Sequence, residues 1–64
     1  MHVIIAEATS LKKARRTLDE LAIAGGFTPI NTDEESVVYS NGITRMYVRK
    51  LGIRLYQIIK EKEK

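Results

Sequence analysis

The side chains in this sequence with chemistry to offer are mainly arginines, lysines and tyrosines. Arg45, Tyr47 and Arg49 alternate along one run, and Arg54, Tyr56 and Lys60 follow. Between Ser36 and Lys60 there are five cations and no acid. Alternation with a period of two sets such residues on one face of a strand. Guanidinium groups pair with phosphates and aromatic rings stack on unpaired bases, so this face suits single-stranded nucleic acid. A second cluster, Lys12, Lys13, Arg15 and Arg16, crowds the first turns of the stretch SLKKARRTLDELAIAGG. A helix N-terminus carries partial positive charge, so cations there are locally unfavourable. Around its free N–H donors they would instead strengthen an anion site. An ordinary solvated face also accounts for part of the pattern, because Arg15 and Asp19, and Arg16 and Glu20, are i,i+4 pairs.

Catalytic arrangements are missing. The chain has no cysteine, which excludes disulfides and thiolate metal sites. His2 is the single histidine, and there is no glycine-rich phosphate loop. Asp33, Glu34 and Glu35 form an acidic run, yet Glu7, Asp19 and Glu20 add no metal-ligand spacing to it. The expectation is therefore a protein that is not an enzyme and carries no catalytic, cofactor-binding or metal-binding residue. No RNP, KH, zinc-finger or clear helix-turn-helix pattern is present, so base specificity is unreadable.

Sixty-four residues suffice for a single small domain, with a net charge of +3 and a pI near 9.5. A chain of this size buries a modest share of its surface, and without disulfides or metal the remaining support is a second subunit. The beginning, MHVIIAEA, lacks a basic leader region and a long apolar run, and no stretch has the length of a membrane span. A cytoplasmic protein is expected, with no membrane partner.

The elements that must position these residues follow from the apolar pattern. Val3, Ile4 and Ile5 read as a buried strand. Thr9 or Ser10 caps a helix whose stripe is Leu11, Ala14, Leu18, Leu21 and Ala22, closed by Gly25-Gly26. Phe27 to Glu35 reads as a connection. Asn41-Gly42 between two β-rich runs predicts a type I′ hairpin, with Ser40 opposite Ile43, Val38 opposite Arg45 and Val37 opposite Met46. Leu51-Gly52 serves as a second two-residue turn, setting Val48 against Leu55, Tyr47 against Tyr56 and Arg49 against Arg54. A bulge at Gly52 would slip that register and exchange the faces of Arg54, Tyr56 and Ile58 with those of Ile53 and Leu55.

The expected fold is α+β in the order β-α-β-β-β. One amphipathic helix packs on a three- to four-stranded, mainly antiparallel sheet. The alternative makes residues 52–63 helical, giving β-α-β-β-α. Residues 61–64 read as a charged, frayed tail. Val37, Tyr39, Met46, Val48, Ile53, Leu55 and Ile59 then form the floor beneath the helix. Arg45, Tyr47, Arg49, Arg54, Tyr56 and Lys60 form the open face. The functional expectation is a small nucleic-acid-binding protein that contacts RNA or DNA phosphates through that face, helped by Lys12, Lys13, Arg15 and Arg16. The alternative is a protein-interaction or inhibitor domain that acts as a homodimer or docks on an acidic protein.

Overall fold

The computed structural model describes residues 2–31 and 36–63. The order is β1 (His2–Ala8), α1 (Leu11–Gly25), β2 (Thr28–Pro29), β3 (Val38–Ser40), β4 (Thr44–Gly52) and β5 (Leu55–Lys62). The strands form one antiparallel sheet in the order β1-β5-β4-β3-β2, and α1 covers one of its faces. This is the expected α+β fold, with β2 as a further short strand inside the Phe27–Glu35 connection. The acidic run Asp33-Glu34-Glu35 lies outside the described residues.

Local chemistry sets the helix boundaries. Ser10 is extended and its side-chain oxygen accepts from the Lys13 N–H at 3.2 Å, satisfying an otherwise orphaned donor. Gly26 ends the helix in the left-handed region at φ 74°, where its N–H reaches the carbonyls of the last turn. Along the stripe Ala14, Leu18 and Ala22 are fully buried, whereas Leu11 and Leu21 sit exposed at its margins. Two alanines on the contact line let the helix lie close to the sheet. Met46, Ile58 and Val37 meet it from below, and Ala6, Ala8, Tyr39, Val48 and Tyr56 pack around them.

The first hairpin is looser than expected. Asn41 keeps a negative φ, and Gly42 is the turn's positive-φ residue, at 91°. A type I′ turn needs both, so it does not form. The Asn41 side chain instead accepts from the N–H groups of Ile43 and Thr44 at 2.9 and 2.8 Å, bending the backbone with its own amide. Ser40 consequently pairs with Arg45, and Tyr39 with Met46, two residues along from the expected register. A slip of two leaves every side chain on its expected face.

The second hairpin departs by an odd number, and this changes the faces. The chain reverses at Ile53-Arg54 rather than at Leu51-Gly52, with an irregularity at Leu51. Val48 opposes Ile58, Tyr47 opposes Ile59 and Arg49 opposes Gln57. The expected pairs Tyr47–Tyr56, Arg49–Arg54 and Val48–Leu55 are absent. The exchange of faces foreseen for a slipped register occurs, so Tyr56, Ile58 and Lys60 lie on the helix side, while Leu55 and Ile59 lie on the open side. Ile53 and Arg54 occupy the turn itself. Residues 55–62 are strand, not helix, and pairing continues through Glu61 and Lys62 beyond the expected start of the tail.

Leu18 is the largest fully buried side chain that the helix contributes. Leu18→Ala should lower unfolding stability by about 2–5 kcal/mol. Urea denaturation followed by far-ultraviolet circular dichroism measures the loss.

Candidate functional site

The open face carries Arg45, Tyr47 and Arg49 on β4, as the alternation requires. Opposite them stand Glu61, Ile59 and Gln57 on β5, and beyond these His2, Ile4 and Glu7 on β1. The arginines are not bare. Arg45 Nε donates to Glu61 Oε1 at 2.9 Å, and its Nη2 forms an ion pair with the same oxygen. Tyr47 donates its hydroxyl proton to Glu61 Oε2 at 3.1 Å. Arg49 Nη2 donates to Gln57 Oε1 at 3.2 Å, and Gln57 Nε2 donates on to Glu7 Oε2 at 3.0 Å. Between these two ladders Ile59 is fully buried, although no helix covers this face.

The ladders shift their own titrations. Hydrogen bonds from Arg45 and Tyr47 hold the Glu61 carboxyl below its usual value of 4.5. Burial, with the bond to Glu61 second, pushes the Tyr47 phenol above 10. Glu61 pairs with Arg45, whereas Glu7 stands one strand beyond Arg49, with the Gln57 amide between them. The Tyr47 hydroxyl is committed to Glu61.

The other expected site residues lie elsewhere. Arg54 is exposed in the β4–β5 turn. Tyr56 is half-buried against the core, opposite Lys50. Lys60 is exposed on the helix side, opposite Met46. On α1, Lys12, Lys13 and Arg16 point into solvent, while Arg15 is half-buried. Near Arg15, Tyr39 donates to Asp19 Oδ1 at 2.7 Å. That bond is the main reason the Tyr39 phenol is raised above 10, with Arg15 pulling in the opposite direction.

The structure therefore gathers Arg45, Tyr47 and Arg49 but separates them from Tyr56 and Lys60. It gathers a different set on the helix-bearing side. Lys12, Lys13 and Arg16 on α1 share that side with Lys50, Lys60 and Lys62, which continue the rows of Met46, Val48 and Ile58 along β4 and β5. Among the described residues none of these six is within ion-pair distance of a carboxylate. Sequence reasoning missed Lys50, Lys62 and the partners Glu7, Gln57 and Glu61. A signal for Glu61 was present: the expected register set two arginines face to face, whereas the observed one sets Arg45 against an acid.

Among the described residues no cluster of three potential metal ligands exists, and no helix is long and apolar enough to cross a membrane. Comparison with known protein families, curated proteins and solved structures finds no match.

The Glu61 carboxyl is lowered in the folded state, so its contribution is present above the unfolded value near 4.5 and is lost as pH falls through the lower folded value. Thermal melts of the native chain and of Glu61→Gln should therefore differ at neutral pH and converge as the pH is taken below 4.5.

Proposed function

We propose that this protein binds nucleic acid through the phosphate backbone, using the helix-bearing side of the sheet rather than the open face. The observation that carries this reading is the division of charge. The arginines of the open face are bonded to Glu61 and Gln57, whereas Lys12, Lys13, Arg16, Lys50, Lys60 and Lys62 lie exposed around the helix. Free cations release counterions on meeting phosphates, while a cation already paired with a carboxylate must first break that pair. A stacking platform is not part of the reading. Tyr47 bonds to Glu61 and Tyr56 packs at the edge of the core, so recognition by base faces has little support. The protein is then a sequence-tolerant, cytoplasmic binding protein for RNA or DNA with no catalytic role. Lys12, Lys13 and Arg16 near the start of α1 acquire a reason on this reading, because they extend the positive surface formed by Lys50, Lys60 and Lys62.

An interaction role with protein is favoured by a separate observation, the exposed edge of β1.

Fluorescence anisotropy with labelled single-stranded RNA and DNA at stepped salt concentrations tests the proposal. The triple substitution Lys12→Gln, Lys13→Gln, Arg16→Gln should weaken binding about tenfold or more and lower the salt slope by about two to three. Arg45→Gln should change either quantity by less than about twofold, since that group is already paired with Glu61. A larger loss from Arg45→Gln than from the helix triple, or no binding even at low salt, would overturn it.

A further inference from the structure

The two edges of the sheet are built differently. β2 is two residues long and ends in Pro29, which cannot donate to a further strand, so that edge is blunted. β1 has seven residues, no proline and no lysine. It pairs with β5 on one side, and among the described residues nothing pairs with its other side. Val3, Ile4 and Ile5 on this strand are 56, 46 and 38% exposed. A long, apolar, unguarded edge is a template for another strand.

We infer that the occupant is β1 of a second copy of this chain, paired antiparallel about a two-fold axis. The argument is register. The irregularity between Ile4 and Ala6 leaves Ile5 as an extra residue and resets the alternation. His2 and Ile4 lie on the open face with Glu61 and Ile59, and after the bulge Glu7 lies there with Gln57. Val3, Ala6 and Ala8 lie on the helix side, opposite Lys60, Ile58 and Tyr56. Residues opposed across antiparallel strands must share a face. Setting His2 against Glu7 of the second copy satisfies this for both flanking pairs, since Val3 then meets Ala6, and it sets the bulged Ile5 against Ile4. The imidazole and carboxylate fall opposite each other at both ends, a donor facing an acceptor, produced by one sequence meeting itself. Sliding by one residue opposes side chains of different faces. Sliding onward to Val3 against Ala8 sets the bulged Ile5 against Ala6 of the helix side and Glu7 against Ile4, losing that complementarity.

A bulge normally discourages edge pairing. Here it is what makes the strand self-complementary. The axis stands perpendicular to the sheet, so both helices lie on the same side of one continuous sheet. Two basic layers are thereby joined into a longer one.

Two measurements on the full chain test this. Analytical ultracentrifugation of the native protein should give twice the 7.3 kDa chain mass, and Val3→Lys should give the single mass with an unchanged circular dichroism spectrum. Because the chain has no cysteine of its own, chains carrying His2→Cys can be mixed with chains carrying Glu7→Cys under mild oxidation. The mixture should form the cross-linked dimer, and each variant alone should form little of it. A monomer at every concentration, or a dimer indifferent to Val3→Lys, would overturn the inference. Equal self-cross-linking of each single-cysteine variant would overturn the register.

Discussion

The pairing of β4 with β5 is the constraint on which the rest of the molecule depends. These strands are the longest neighbours in the sheet and lie at its centre. Because strand side chains alternate, the choice of partner for Tyr47 decides the face of every residue from Leu55 to Lys62. With Tyr47 opposite Ile59, Ile58 turns toward Leu18 and Met46 and completes the core. The same choice turns Lys60 and Lys62 to the helix side and Glu61 to the open side. Apolar burial and charge distribution are thus fixed by one register. The physical preference is plain: Ile58 fits beneath the helix, and Glu61 meets Arg45 instead of Arg49 meeting Arg54.

An antiparallel sheet with a helix on one face can leave its other face in water. This one does so with long polar side chains laid across the strands. Ile59 lies between Tyr47 and Ile4 in the sheet and is completely buried. The Arg45–Glu61 pair is 46% exposed on the arginine side, so its net contribution to stability is small. Its larger effects are to specify which residues face each other and to cancel charge on the open face. Among the described residues, six exposed cations without an ion pair, Lys12, Lys13, Arg16, Lys50, Lys60 and Lys62, stand on the helix-bearing side. The cations at the start of α1 are costly to the helix dipole by a few tenths of a kcal/mol each, less in salt, and they stand on the side where Lys50, Lys60 and Lys62 also emerge.

Elements defined by one local signal were legible in the sequence. Ser10, the Ala14–Leu18–Ala22 stripe and Gly26 identify the helix with its caps, and the β-branched run at Val3 identifies β1, though Val3, Ile4 and Ile5 lie exposed on an edge strand rather than buried as expected. Elements defined by how two strands meet were less so. Asn41-Gly42 marks a turn, but its amide can bond within a wider loop as well as accept a positive φ, and the dipeptide does not say which. The two-residue slip that followed was harmless to the faces, so Arg45, Tyr47 and Arg49 were correctly gathered. At the second turn the Leu51-Gly52 dipeptide points to the wrong place for the corner. Ile53-Arg54 forms it instead, although neither residue is a usual turn former. The three-residue slip moved Tyr56 and Lys60 off the open face and brought in Glu61, Ile59 and Gln57. β2 was missed because two residues beside a proline carry no periodicity, and Glu61 was missed because alternating lysine and glutamate read as a solvated end.

The nuclear Overhauser spectrum of the Tyr47 ring tests the central register most directly. Ring protons of Tyr47 should show strong cross-peaks to the methyl groups of Ile59, and the Ile58 methyls should show theirs to Leu18 or Met46. Strong cross-peaks between the rings of Tyr47 and Tyr56, with Ile58 methyls facing away from Leu18, would contradict the account. The division of charge built on it would fall with that result.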